Sequence, residues 1–233
     1  MRIAILLPGQ PRFSLGFNTF LSNLTGYDQA DWFVCISGTR DSHHSIKLLA
    51  DSWNNFSRDW AYEKIKSMLP ERNYIQSFEI SDDEQQVFPD VKNVKEVADV
   101  KFPFRMFYNI YKVDQARQRY EQVHNFKYDL VIRTRTDIGL DGELDLRNLT
   151  LDDNLVIMPT NEWHGDPRAN DQFAIGTSKS MGAYGSLYTH IKDYNDGGIT
   201  FHPESMVGHN LKAQGIRFEQ GNFFARIDRV PVE

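Results

Sequence analysis

Three short segments carry apolar runs with no polar residue between: IAILL within Arg2–Leu7, WFVCI within Asp31–Ser37, and LVI within Tyr128–Arg133. A strand with one face in water alternates polar and apolar side chains, because successive residues point to opposite faces. These runs leave no face for water. They read as strands buried on both sides, which requires a mostly parallel sheet covered by helices on both faces. The three segments are expected at its centre.

The rest of the chain supplies the covering layers. NYIQSFEI (Asn73–Ile80), NLVIMP (Asn154–Pro159) and QFAIGTS (Gln172–Ser178) read as further strands. Helical spacing runs from Phe13 to Leu24 through Phe17, Phe20 and Leu21, and from His43 to Leu69 with a break near Asn54 and Asn55. The strongest helix is Phe104–Val123, where Met106, Ile110, Val113, Ala116, Tyr120 and Val123 recur every three or four residues. Another covers about Lys179–His190. The segment Phe201–Ile216 has Pro203 at the first helical position, Glu204 in the first turn and Gly215 at its end. Ser81–Lys101 is polar and without period, and reads as a loop. Strands alternating with helices predict an α/β fold, and no linker divides residues 1–233, so a single Rossmann-like domain is expected.

Composition narrows the function classes. The 233 residues are 40% hydrophobic and 13% aromatic, enough for a packed core and against disorder. The net charge of -6 disfavours a protein that holds nucleic acid mainly through backbone phosphates. The single cysteine, Cys35, excludes an internal disulfide and sits in an apolar run, as a core residue would. The apolar amino terminus stops at Pro8, too short for a signal peptide or a membrane span. A soluble, intracellular protein is expected.

Charges abut the third strand. In YDLVIRTRTDIGL, Arg133, Arg135 and Asp137 fall on one face if the strand continues. Three charges on one face of a central strand need partners or water. The strand is therefore expected to leave the core near Arg133, with its carboxyl end lining a crevice. Ligands of open α/β sheets bind there. Arginines suit phosphate oxygens, and an aspartate suits a divalent cation or a ribose hydroxyl. The plainer alternative is an ion-pair network. Asp141 is either a second metal ligand or a turn residue before Gly142.

Three other segments offer polar groups. Pro8, Gly9, Gln10 and Arg12 follow the first strand, where Gly9 permits close backbone approach and Arg12 suits a phosphate; alone, this reads as a turn with a surface arginine. Neither common glycine-rich nucleotide fingerprint is present. Asn170 and Asp171 precede a strand, so Asp171 is either a base for an acceptor hydroxyl or part of an Asx turn. His202 and Glu204 open a helix, as a metal or phosphate contact and an acceptor-side acid, or as a cap. His43 and His44 are adjacent, point apart in a helix and make no chelating pair.

Taken in order, GQPRF, FRMFYNIYKV, YDLVIRTRTDIGL, NDQFAIG with MGAYGSLY, and HPESMVGHNLKAQGI resemble a group of small glycosyltransferase-like proteins of GT-A-type fold. That group occurs in bacterial surface-polysaccharide clusters, in phages and in other large DNA viruses. The likeness covers nearly the whole chain and is strongest from Phe104 to Ile216. It implies a nucleotide-sugar donor at the carboxyl edge of the sheet, with Mn²⁺ or Mg²⁺, in a bacterial or phage-infected cytoplasm. R-x-R-x-D takes the place of the DxD motif. This maps Asp137 to the metal and the donor diphosphate, Arg133 or Arg135 to the donor, Pro8–Arg12 to the nucleotide, Asp171 to the acceptor, and His202 to the metal. Arg135 stands where DxD has an aspartate, and could replace part of the metal's charge.

The residue types fit this chemistry on their own terms. Glycosyl transfer needs a cation against the leaving diphosphate and a positioned acceptor hydroxyl, with Asp171 or Glu204 as base. The acceptor is either a surface glycan or, in a phage setting, hydroxymethylated cytosine in DNA, met by a basic face of Arg40, His43, His44, Lys47 and Arg58. Two other classes remain open: a sugar-nucleotide- or glycan-binding module without turnover, and a nucleotidyltransferase.

Overall fold

A computed structural model describes residues 1–38, 57–82, 88–95, 97, 99–160 and 168–228. Its centre is a seven-stranded sheet of β1 (Ile3–Gly9), β3 (Ala30–Ser37), β4 (Asn73–Ser81), β5 (Leu130–Arg133), β8 (Leu155–Met158), β9 (Ala174–Gly176) and β10 (Arg217–Gln220). The spatial order is β10-β8-β9-β5-β1-β3-β4. Every neighbouring pair is parallel except those made by β9, which runs antiparallel to both β5 and β8. The fold is thus α/β with a mostly parallel sheet, and β5, β1 and β3 lie side by side within it.

The apolar runs have the cause inferred from them. Ile3, Ile5, Leu130, Ile132, Trp32 and Val34 pack on one face, against Phe17 and Phe20 of α1 (Leu15–Asn23) and Ala61 and Ile65 of α2 (Arg58–Met68). Ala4, Leu6, Val131, Phe33 and Cys35 pack on the other, against Phe104, Phe107, Ile110 and Val113 of α3 (Lys101–His124). The same layer holds α4 (Ser178–Gly185) and α6 (Pro203–Ala213); between them come a 3-10 turn at Ser186–Thr189 and α5 (Ile191–Asp196). Burying these side chains on two faces is the main driving force for the fold.

Local signals set the helix ends. The Ser57 hydroxyl accepts from Trp60 N at the start of α2, and Thr177 forms a capping box with Ser180 at the start of α4. Pro203 opens α6 as expected, and Gly215 follows it at φ +71°. A Cβ at Gly185 would come within 2.8 Å of Asp114, so glycine there lets α4 lie against α3.

α3 carries a buried ionic network. Arg117, fully buried, donates to Asp114 Oδ1 (2.7 Å), Glu121 Oε1 (2.8 Å) and Ser178 Oγ (2.7 Å). Glu121 also accepts from Tyr128 N (3.0 Å), tying α3 and α4 to the entrance of β5.

Several elements depart from the sequence expectation. The Gln172–Ser178 strand is only Ala174–Gly176, because Thr177 turns to cap α4. α3 starts at Lys101, three residues before the expected Phe104. The first part of the His43–Leu69 pattern lies outside the described residues, as do Arg40, His43, His44 and Lys47; α2 accounts for the rest. The polar strand β10 and the small pairings β6 (Ile138–Leu140) with β11 (Ala225–Ile227) and β2 (Leu24–Thr25) with β7 (Leu144–Asp145) have no counterpart in the sequence reading. Among the described residues, no helix is long and apolar enough to cross a membrane.

Candidate functional site

The chain starts at β1, moves outward through β3 to the edge strand β4, then returns to place β5 on the other side of β1. The strand order therefore reverses between β1 and β5. In an open α/β sheet the loops leaving two such strands part, and a crevice opens at their carboxyl ends.

The two loops are sewn together by main chain and Thr136. Arg12 N donates to Thr136 Oγ1 (2.8 Å), Thr136 Oγ1 donates to Gln10 O (2.8 Å), and Ser14 N donates to Thr136 O (3.3 Å). Gly9 lies at φ +109°, and a Cβ there would meet nothing within 4 Å. Glycine at this position is required by the backbone turn, since L side chains avoid that conformation. Pro8 and Gly9 are still paired to Cys35 and Ile36 as the last residues of β1.

The charged groups converge on Asp137. Arg135 grips it with two bonds, Nε to Oδ1 and Nη2 to Oδ2, both 2.8 Å. Arg12 reaches Oδ2 through Nη1 at 3.3 Å, and is itself held by Gln10 Oε1 at 3.0 and 2.7 Å. The Asp137 side chain is 1% exposed, whereas those of Arg12 and Arg135 are 16% and 18% exposed. One buried carboxylate thus aims two partly exposed guanidinium groups outward.

Arg133 differs from both. β5 ends at this residue, and the backbone turns beyond it, with Ile138 N donating to Arg135 O. The alternation that would put Arg133, Arg135 and Asp137 on one face stops there. Arg133 is 1% exposed, on the Val131 face, and its Nε and Nη1 have no hydrogen-bond partner among the described residues. Burial pulls its pKa below the ordinary arginine value; the neighbouring Tyr184, Asp171 and Asp137 oppose that shift, and Arg135 adds to it.

The second group of candidate residues reaches the same edge because β9 runs backwards. Arg133 pairs with Ala174, so the loop entering β9 lies at the carboxyl end of β5. In that loop Asn170, not Asp171, makes the Asx turn, its Oδ1 accepting from Gln172 N (2.8 Å) and Phe173 N (2.7 Å). Asp171 makes no hydrogen bond or ion pair among the described residues and is partly exposed. Ala169 N donates to Glu204 O (3.0 Å), which fastens the start of α6 to this loop. His202 Nδ1 lies 3.5 Å from Glu204 Oε2, and His202 stands at the N-cap of α6 with no side-chain bond to the first turn of the helix.

These partners decide how well the residues suit a divalent cation. Both oxygens of Asp137 are taken by guanidinium groups, and Glu204 is the carboxylate beside His202. Asp141 pairs instead with Arg226 at 3.0 Å. Among the described residues, no three His, Cys, Asp or Glu side chains gather to hold a metal. A hard cation takes several oxygen ligands, and this donor set does not fit one. Arg58, assigned to a basic face, lies over the Phe78 ring at 5.6 Å and donates to Phe78 O.

Thr136, Tyr184 and Gln172 were not singled out from the sequence. Thr136 had been set on the opposite face from the charges, and only the turn after Arg133 brings it between the loops. Tyr184 is buried against the Arg133 region, donates to Asn170 O (3.1 Å), and has its pKa raised by burial. No protein-family model matches the chain, and no curated protein matches it at a significant level.

Proposed function

We propose that the protein is a nucleotide-sugar-dependent glycosyltransferase whose donor diphosphate is met by guanidinium groups. The observation that carries this reading is the position of Arg12, Arg133 and Arg135 together at the β1–β5 switch point, with Asp171 near Arg133 on the loop entering β9. Fixed cations stabilise a leaving group that gains charge in the transition state without the cost of reorganising water. Arg12 and Arg135 are preorganised for this by Asp137.

In this reaction the bond between the anomeric carbon and the phosphate oxygen breaks, and its electron pair leaves with the diphosphate. The acceptor oxygen bonds to the anomeric carbon and its proton passes to Asp171. Asp171 suits this role because no hydrogen bond among the described residues satisfies its carboxylate. The acceptor, a surface glycan hydroxyl or hydroxymethylated cytosine, enters from that side.

The test is a screen of UDP- and GDP-sugars with candidate acceptors, in EDTA and in Mn²⁺. The expected result is acceptor-dependent release of nucleoside diphosphate that persists in EDTA. Pyrophosphate release in a parallel assay with a nucleoside triphosphate and a sugar 1-phosphate would make the protein a nucleotidyltransferase, and binding without release a recognition module. Activity lost in EDTA and restored by Mn²⁺ would overturn the guanidinium assignment and keep the transferase.

A further inference from the structure

Arg133 is a charge the fold leaves open. Its Nε and Nη1 are buried and unpaired among the described residues, which is rare in native proteins and calls for a ligand, ion or strain to explain it. An arginine does not escape the cost by losing its proton. The residue paired with it across the sheet is Ala174, on the strand that follows the Asp171 loop. In the segment entering that strand, Gln172 Oε1 is also buried without a hydrogen bond among the described residues. Buried donor atoms of a permanent cation with no acceptor among the described residues call for an anion that accepts from arginine.

We propose that Arg133 is an oxyanion receptor that takes the sugar-proximal phosphate of the donor, and that the anion stabilises the folded protein by supplying the counter-charge the chain lacks. The identity of that anion rests on the nucleotide-sugar reading; the coupling of anion binding to stability does not. Arg133 is suited to this because a planar fork binds two oxygens of one phosphate at once. Arg12 and Arg135, already committed to Asp137, hold the outer phosphate.

The experiment is thermal unfolding of the full chain with inorganic pyrophosphate, inorganic phosphate or glucuronate, for wild type, Arg133→Met and Arg133→Lys. Pyrophosphate at about a hundred times its dissociation constant should raise the wild-type Tm by roughly 5–10 °C. Arg133→Met should have an unliganded Tm equal to or above wild type, because the unpaired charge is gone, and should lose the pyrophosphate shift. Arg133→Lys keeps the charge without the fork and should keep a smaller shift.

An Arg133→Met protein that unfolds well below wild type, or an undiminished pyrophosphate shift in both variants, overturns the proposal. A larger shift with glucuronate than with pyrophosphate overturns the phosphate assignment in favour of a carboxylate. If no nucleotide sugar is turned over while the Arg133-dependent shift persists, the transferase reading fails and the receptor stands.

Discussion

Arg117 sits in the middle of α3 and Arg133 at the end of β5, and both are out of water. Around Arg117 the protein has assembled two carboxylates and a serine from two helices, within 2.7–2.8 Å. Around Arg133 it has placed a tyrosine, an alanine and, among the described residues, no carboxylate within bonding distance. The same side chain has its bonds made within the chain in one region and two donor atoms left open among the described residues in the other. Burial alone does not distinguish them; the completeness of the hydrogen bonding does. A buried charge whose partners all belong to the chain is architecture. One whose partners are missing points outside the chain.

The sharpest break of this comparison is thermodynamic. Arg117→Met leaves Asp114 and Glu121 buried without their cation, and should cost about 3–5 kcal/mol. Unfolding in urea at neutral pH measures it. Loss below about 1 kcal/mol would mean that water or repacking rescues the network, and that the two arginines differ less than their contacts suggest. The opposite sign expected for Arg133→Met makes the pair a matched test.

Next in size is Asp137→Asn. An amide cannot hold two guanidinium groups as a carboxylate does, so turnover should fall roughly 10²- to 10³-fold, as when a transition-state donor is lost. Steady-state kinetics with a fixed donor reads this. Turnover near wild type would reduce the Arg12–Asp137–Arg135 cluster to architecture of the Arg117 kind.

Asp171→Ala should lower kcat roughly 10²-fold while leaving donor affinity nearly intact, because a base for the acceptor acts in the transition state. Donor titration beside kcat separates the two. A matching loss of donor affinity would place Asp171 with the donor rather than the acceptor.

The smallest effect concerns acid. Burial raises the pKa of Glu121, but the Tyr128 N–H, Arg117, Lys127 and Ser178 outweigh it and hold the carboxyl below its ordinary value of 4.5. Its folded pKa is thus below its unfolded one. The stability it contributes is present above pH 4.5 and is lost as pH falls through the depressed value. Glu121→Gln should lower stability at neutral pH and flatten its decline as pH falls below 4.5. Unfolding curves recorded across that range measure the slope. An unchanged slope would remove Glu121 as the acid-sensitive part of the network.

Much of the site's location could be read from the chain because it follows from local pattern. LVI running into RTRTD marks a strand leaving the core, and PGQPR marks the loop after β1. The pairing of those loops was inferred from a general rule of α/β sheets, and the contacts between Gln10, Arg12, Thr136 and Asp137 agree with it. Asp171 was named as one of two outcomes, and the Asx turn fell to its neighbour Asn170. The resemblance joins His202 and Asp137 through a metal, and the donor set among the described residues does not gather around one. That assignment depended on which groups lie within 3 Å of Asp137, and two of them are the Nε and Nη2 of Arg135, on a turn that alternation along a strand does not describe.

What the sequence determined by itself is the layering. Residues such as Ile5, Val34 and Ile132 have no polar alternates beside them, so burial on both faces follows from hydrophobic cost alone, wherever the strands pair. The tertiary structure decided direction and partnership. Nothing in AIG says that β9 runs backwards, yet that reversal carries Asp171 to the Arg133 end of β5. Nothing in RFEQ marks a strand, because β10 is an exposed edge held by main-chain bonds to β8. Arg117 has its counter-charges three and four residues away on its own helix, at Asp114 and Glu121, whereas Arg133 is preceded by LVI and followed by TRTD. That Arg117 is buried and completed by Ser178, 61 residues away, is decided only once the helices have packed.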